Sequence, residues 1–116
     1  MKVRAVRVYD ASRGGYRVLV DRLWPRGVAK ADARIDLWAK DAAPSDRLRR
    51  WFHADPDARF AEFKKRYRAE LAASKALTPL RAALRGKGAI TLVTAAKDPE
   101  RSHIPVILAA LKRTPR

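Results

Sequence analysis

A short charged segment that follows a run of apolar residues contains the side chains of this chain that could do chemistry. Residues 18–20 are consecutive and apolar, and mostly β-branched, which is typical of a buried strand. The charged and aromatic residues that follow it are Asp21, Arg22, Trp24 and Arg26. Charge at the end of a buried strand costs free energy unless it is paired or meets a ligand. We therefore expect this segment to form one wall of a binding site.

A second predicted strand, residues 89–94, also ends in polar residues. It closes with Thr94, and Lys97 follows in the next loop. Ligands of open parallel sheets bind beyond the carboxyl ends of the strands, so the two polar segments would meet if their strands are neighbours. A helix predicted to begin near Pro105 would bring free N–H groups and its positive dipole end to the same rim. These features predict an anion pocket, with Thr94 among its ligand-binding residues.

The charges of these residues suggest their roles. Arg22, Arg26 and Lys97 would hold an anion through charge-assisted hydrogen bonds. Asp21 is the candidate catalytic residue, as a general base or as a carboxylate that orients its neighbours. Trp24 could stack on a ring of the ligand. The alternatives are an Asp21–Arg22 ion pair that only orders the loop, and core packing for Trp24.

The composition limits the classes of protein to consider. A chain of 116 residues, 47% of them hydrophobic, is long enough for one domain, residues 1–116, with its own core. The absence of cysteine excludes disulfides and thiol catalysis and favours a cytoplasmic location. No apolar run approaches the roughly 20 residues of a membrane span, so no membrane partner is expected.

Metal and cofactor sites are not predicted. His53 and His103 have no second histidine or carboxylate at metal-ligand spacing, so we expect no zinc site. Neither a glycine-rich phosphate loop nor a serine elbow motif occurs, and we expect no cofactor. His53 is expected to end a helix, where its partial charge suits the dipole.

The net charge of +15 points to anionic partners. It arises from 27 Lys and Arg against 12 Asp and Glu, a balance that favours nucleic acid or a phosphorylated small molecule. Because the basic residues are spread from Arg4 to Arg116, composition and solubility alone could also account for the charge.

The apolar periodicity predicts an α/β domain. The predicted strands are residues 3–9, 16–20 and 89–94, with a turn over 10–15. Residues 35–40 alternate as in a strand but could form a helical turn, and residues 28–34 are irregular or a short helical turn.

Helix starts are predicted from capping residues and prolines. They lie at Ser45, Asp55-Pro56, Thr78-Pro79 and Pro105. The second helix should run to about Ala73 with an apolar stripe, and Trp51 should pack in the core. The order of elements predicts a single compact three-layer α/β domain with a small, largely parallel sheet flanked by helices.

Several segments together resemble a known family. They are residues 18–27, 36–40, 43–45, 48–53, 66–71 and 91–98. They are similar to the YeaO-like family of small bacterial proteins, within the DUF488 superfamily, and the resemblance spans nearly the whole chain. It implies a compact α/β domain but no function, because the larger group has none assigned.

The resemblance also bears on individual residues. The wider group carries cysteines at the positions that Thr94 and Ser102 occupy here, so a thiol role does not carry over. His103 matches a position that is commonly histidine in that group. The basic residue that often follows it is replaced by Ile104, which weakens a catalytic role for His103.

Two functions are consistent with these features. The first is a site for a small anionic ligand, phosphorylated or carboxylated, at the carboxyl end of the sheet, with or without a catalytic step. The alternative is a sequence-independent nucleic-acid-binding module, whose basic side chains meet phosphates while Trp24 stacks on a base. The first is favoured because the charged segment is focused at a strand end whereas the remaining charge is diffuse.

Overall fold

Four parallel strands form the sheet in the computed structural model, which describes residues 2–10 and 14–113. The strands are β1 (Lys2–Arg7), β2 (Tyr16–Leu19), β3 (Leu37–Trp38) and β4 (Ala89–Thr94). Their order across the sheet is β1-β4-β2-β3, and all of the pairs are parallel. The prediction of a parallel α/β domain is confirmed, and β2 and β4 are the neighbours that a shared site requires.

Five α-helices accompany the sheet in the described part of the chain. They are α1 (Lys30–Ala33), α2 (Asp46–Ala54), α3 (Pro56–Ser74), α4 (Leu77–Leu84) and α5 (Ile104–Lys112). The predicted caps of two helices are confirmed, because Ser45 accepts a hydrogen bond from the Leu48 N–H and Asp55 accepts one from the Ala58 N–H. Such caps satisfy N–H groups that have no partner within the first turn.

The helices are distributed unequally over the two faces of the sheet. The larger apolar cluster joins α2, α3, α4 and α5 to one face of β2 and β4. On the other face, Leu19 and Val93 pack with Val8, with Ala33 of α1 and with the chain around it. Successive side chains of β4 point to opposite faces of the sheet. Ile90 and Leu92 therefore belong to the larger cluster, whereas Val93 belongs to the cluster on the other face. The layer on this second face of the sheet therefore consists of the single turn of α1 and the loops on either side of it.

Some element boundaries differ from the prediction. The strand expected over residues 35–40 is only Leu37–Trp38, because the chain turns into a 3-10 helix at Lys40–Ala42. The first strand ends at Arg7 instead of residue 9, and α4 begins at Leu77, so that Thr78 lies inside the helix. Part of the turn expected over residues 10–15 lies outside the described residues.

Trp51 packs against the core, as predicted, but it is only partly buried. It contacts the edge of the larger apolar cluster. The guanidinium groups of Arg59 and Arg66 lie over its ring, 4.9 and 4.3 Å from the centroid. These cation–π contacts let the indole remain at the surface.

Candidate functional site

A cleft of about 390 Å³ opens at the carboxyl ends of β2 and β4. Most of its lining residues fall into three groups. The floor is formed by Asp21, Thr94 and Ala95. The helix wall is formed by Arg49, Phe52, His53 and His103. The loop wall is formed by Tyr9, Leu23, Trp24, Pro25 and Arg26.

The floor is held by the carboxylate of Asp21. Its Oδ1 accepts a hydrogen bond from the Thr94 hydroxyl at 2.7 Å, and its Oδ2 accepts one from the Ala95 N–H at 2.7 Å. Thr94 Oγ1 in turn accepts a hydrogen bond from the Ala96 N–H at 3.1 Å. These bonds join the end of β2 to the end of β4. They use the side chains of Asp21 and Thr94, which the sequence predicted as site residues at these two ends.

His103 completes this network from the residue before α5. Its Nε2 lies 2.9 Å from the Val20 carbonyl oxygen and 3.2 Å from Asp21 Oδ1. Both neighbours are acceptors, so Nε2 carries the proton. The ring of Tyr67 packs edge-on against the imidazole, with centroids 6.0 Å apart. His103 is therefore fixed in orientation and tautomer while its side chain lines the cleft.

The environment keeps Asp21 ionised. Burial raises the pKa of its carboxyl, but the hydrogen bond and charge of a protonated His103 lower it, as do the Ala95 N–H and the Thr94 hydroxyl. The net pKa lies below the ordinary value of 3.8. A carboxylate with a lowered pKa and hydrogen bonds to both oxygens is a weak proton acceptor and a strong anchor.

Arg22 ties two segments together, in addition to lining the cleft. Its Nε donates to the Pro44 carbonyl at 2.9 Å and its Nη2 donates to the Ala43 carbonyl at 3.0 Å. It forms no ion pair with Asp21, which is paired with His103 instead. Arg22 thus anchors the loop after β2 to the chain that leads into α2.

Two residues of the loop wall were singled out by the sequence. Arg26 is exposed and its guanidinium forms no ion pair with a described residue. Trp24 is half-buried, donates from Nε1 to the Val28 carbonyl at 2.7 Å, and packs edge-on against Trp38. Trp24 therefore combines packing with a place in the cleft lining.

Two sequence-based expectations for this rim are wrong. Lys97 is exposed and lies outside the cleft lining, because bonds to Ala95 and Ala96 hold the loop so that the lining ends at Ala96. The first N–H groups of α5 are also not free. The Ile104 N–H donates to Ser102 Oγ, Pro105 has no N–H, and the next two N–H groups donate to the His103 carbonyl.

The helix wall contains basic residues that the sequence analysis did not place in the site. Arg49 and His53 are four residues apart on α2, so they share a helix face, and this spacing was the available signal. Arg49 pairs with Asp46 at 2.6 Å, while its Nε is buried with no hydrogen bond to a described residue. Partial burial lowers the pKa of His53 below 6.5, as do the charges of Arg49 and His103.

The described lining of the cleft carries three arginines against one carboxylate, and one of the arginines, Arg49, is also paired with Asp46. Asp21 is the one carboxylate among its described lining residues, and its charge is already compensated by hydrogen bonds. The basic lining residues are Arg22, Arg26, Arg49, His53 and His103. Arginine at such a site favours carboxylate and phosphate groups, which match its planar set of donors.

A family model matches almost the whole chain. It is described as the inactive DUF488-N3 subclade and it covers residues 2–115. The chain belongs to the DUF488 family. This confirms the resemblance to YeaO-like proteins.

Two relatives illustrate the relationship of this DUF488 protein to others. It is 47% identical over 112 residues to the uncharacterised protein Rv3073c of Mycobacterium tuberculosis, covering 95% of this chain and 93% of the relative. It is 39% identical over 109 residues to the uncharacterised protein YeaO of Escherichia coli, covering 92% and 94%. No solved structure matches the chain at a significant level.

Two further properties of the DUF488 protein concern residues 2–10 and 14–113. None of the helices there is both long and apolar enough to cross a membrane. No group of three or more His, Asp or Glu side chains in those residues is arranged to hold a metal ion. The cytoplasmic location stays a prediction.

Proposed function

We propose that the cleft binds a small anionic ligand that carries a phosphate or carboxylate group. The observation that carries this proposal is the excess of basic lining residues over a single, internally satisfied carboxylate. Arg26 and Arg49 are the residues proposed to meet the anion. Arg26 is exposed and has no acidic partner among the described residues. Arg49 lines the same cleft, although its guanidinium is also paired with Asp46.

The proposed role is binding, and Asp21 is assigned to positioning. Its lowered pKa and its two occupied oxygens make it a poor general base. It holds His103 and the loop after β4 in the positions that shape the floor. The description of the matching family model as inactive is consistent with a binding role.

Thermal unfolding with added sulfate tests the proposal. A ligand that binds only the folded state stabilises it by about 2.7 kcal/mol at a hundredfold excess over its dissociation constant. Sulfate also stabilises proteins by exclusion from their surface, so the response of wild type alone is not decisive. Arg26→Ala should reduce the sulfate-induced rise in Tm, because it removes the cation proposed to meet the anion.

Arg68→Ala is the matched control. Arg68 is exposed on α3 and lies outside the cleft lining, and its substitution removes the same charge. This variant should keep the full sulfate response. If Arg26→Ala and Arg68→Ala respond to sulfate as wild type does, the cleft is not an anion site and the proposal fails.

A further inference from the structure

We infer that the ligand is an organic anion with an apolar or aromatic body, and that the loop wall binds this body. The inference rests on the proposed anion site and specifies the class of ligand. Two large hydrophobic side chains are exposed among the described residues, Tyr9 at 52% and Leu23 at 57%. Both line the same cleft. Exposed apolar surface concentrated at one cavity is typical of a ligand-binding site.

The loop wall is held in place by contacts to the rest of the fold. Trp24 is fixed by its hydrogen bond to the Val28 carbonyl and by its edge-on contact with Trp38. The Tyr9 hydroxyl donates to the Arg26 carbonyl at 3.5 Å, and the guanidinium of Arg7 lies 5.3 Å from the centre of the Tyr9 ring. These contacts place the Trp24 and Tyr9 rings at the cleft, and the exposed surface of Tyr9 and Leu23 costs free energy until a partner covers it.

The two walls differ in chemistry. The helix wall supplies Arg49, His53 and His103 beside Phe52. The loop wall is apolar or aromatic except for Arg26 at its end; its other members are Tyr9, Leu23, Trp24 and Pro25. A ligand with a charged group and an apolar group would match both. The volume of about 390 Å³ lies within the usual range of small-molecule pockets, about 300–1,000 Å³, and is more than a lone phosphate ion needs.

Calorimetric titration with three probes tests the inference: inorganic phosphate, phenyl phosphate and phenol. The titrations are made at about pH 8, where both phosphates are mainly dianions. We expect phenyl phosphate to bind about tenfold or more tightly than inorganic phosphate, because the ring buries apolar surface on the loop wall. Phenol should bind far more weakly than phenyl phosphate.

The outcomes separate this inference from the proposed function. If phenyl phosphate binds no better than inorganic phosphate, the inference is overturned and the anion site stands. If neither phosphate binds, or phenol binds as well as phenyl phosphate, the anion site itself is overturned.

Substitutions test whether the loop wall is responsible for the tighter binding of phenyl phosphate. Leu23→Ser and Tyr9→Ser should each reduce the advantage of phenyl phosphate over inorganic phosphate, and Leu23→Ser should leave the affinity for inorganic phosphate unchanged. Leu23→Met keeps an apolar side chain and should retain the advantage. Because Leu23 is more than half exposed, its variants should fold, which circular dichroism can verify. An advantage that survives both serine substitutions would overturn the assignment to the loop wall.

Discussion

The Thr94 hydroxyl donates a 2.7 Å hydrogen bond to Asp21 Oδ1 and thereby links the ends of two neighbouring strands. Asp21→Asn is expected to destabilise the fold by about 1–3 kcal/mol at neutral pH, because an amide nitrogen cannot accept the bond it replaces. Urea unfolding of wild type and variant measures this loss. Asp32→Asn, at an exposed position of α1, should change stability little.

The contribution of Asp21 should also depend on pH. Its pKa is lower in the folded state than the ordinary 3.8, so the unfolded chain binds its proton more readily. The stabilisation is therefore present above about pH 4 and is lost as the pH falls through the lowered folded pKa. The difference in the free energy of unfolding between wild type and Asp21→Asn should narrow as the pH falls below the ordinary carboxyl pKa of 3.8 and through the lowered folded pKa. A difference that stays constant in acid would contradict this.

Sulfate binding should tighten as the pH falls from about 7.5 through the lowered pKa of His53. That pKa lies below 6.5, so His53 is mostly neutral at about pH 7.5 and gains a positive charge as the pH falls through it. Sulfate remains a dianion and Asp21 remains ionised throughout. In His53→Gln the pH dependence, followed by calorimetry, should flatten. If the variant and wild type show the same slope, His53 does not contact the anion.

Alanine substitutions at two glycines should lower the free energy of unfolding by different amounts. Gly15 and Gly27 both have positive φ angles, +72° and +76°, so alanine at either would cost about 1–2 kcal/mol in backbone strain. At Gly15 the new Cβ would also lie 2.9 Å from Thr91 Oγ1 and 3.1 Å from the Ala89 carbonyl oxygen, whereas Gly27 has free space. Gly15→Ala should therefore lower the midpoint of urea unfolding more than Gly27→Ala does. Equal midpoints would show that β4 shifts enough to accommodate the new Cβ atom at position 15.

Trp51→Ala should destabilise the fold less than Phe63→Ala. Phe63 is 2% exposed and stacks on Phe52, so its removal should leave a cavity costing about 3–5 kcal/mol. Trp51 is partly exposed, so its removal should sacrifice less buried apolar surface, together with the contacts of its ring to two arginines. Denaturant titration of both variants decides the order. A larger loss for Trp51→Ala would mean that the arginine contacts contribute more than such contacts usually do.

Nucleic-acid binding, the alternative function, should be weak and steeply dependent on salt. The charge of +15 is dispersed over the chain, and each neutralised phosphate of duplex DNA contributes about −0.9 to the slope of log affinity against log salt. Titration of two unrelated duplexes and one single strand at several salt concentrations measures this. A strong preference for one sequence at physiological salt would make nucleic-acid recognition the leading function.

The sequence predicted the floor of the cleft better than its walls. Asp21 lies just after β2 and Thr94 is the last residue of β4. Parallel strands bring their carboxyl ends to one edge of the sheet, so the proximity of the two residues follows from the local sequence pattern. The caps at Ser45 and Asp55 are equally local and were also predictable.

The walls depend on tertiary contacts that leave a weak signal in the sequence. The acceptors of Arg22 are carbonyl groups more than 20 residues away, and any residue carries a carbonyl. His103 enters the site only because the turn before α5 brings it to the end of β2, beside the Val20 carbonyl. The exposure of Lys97 likewise depends on how the loop after β4 is hydrogen-bonded.

The bonds of Arg22 to Ala43 and Pro44 have a kinetic consequence. They connect the loop after β2, which forms most of the loop wall, to the segment that leads into α2, which forms part of the helix wall. The distance between the two walls is therefore set before any ligand binds. A preorganised cleft loses little conformational entropy on binding and does not wait for a slow closure step. Association should then proceed in one phase, at a rate that electrostatic attraction raises and added salt lowers.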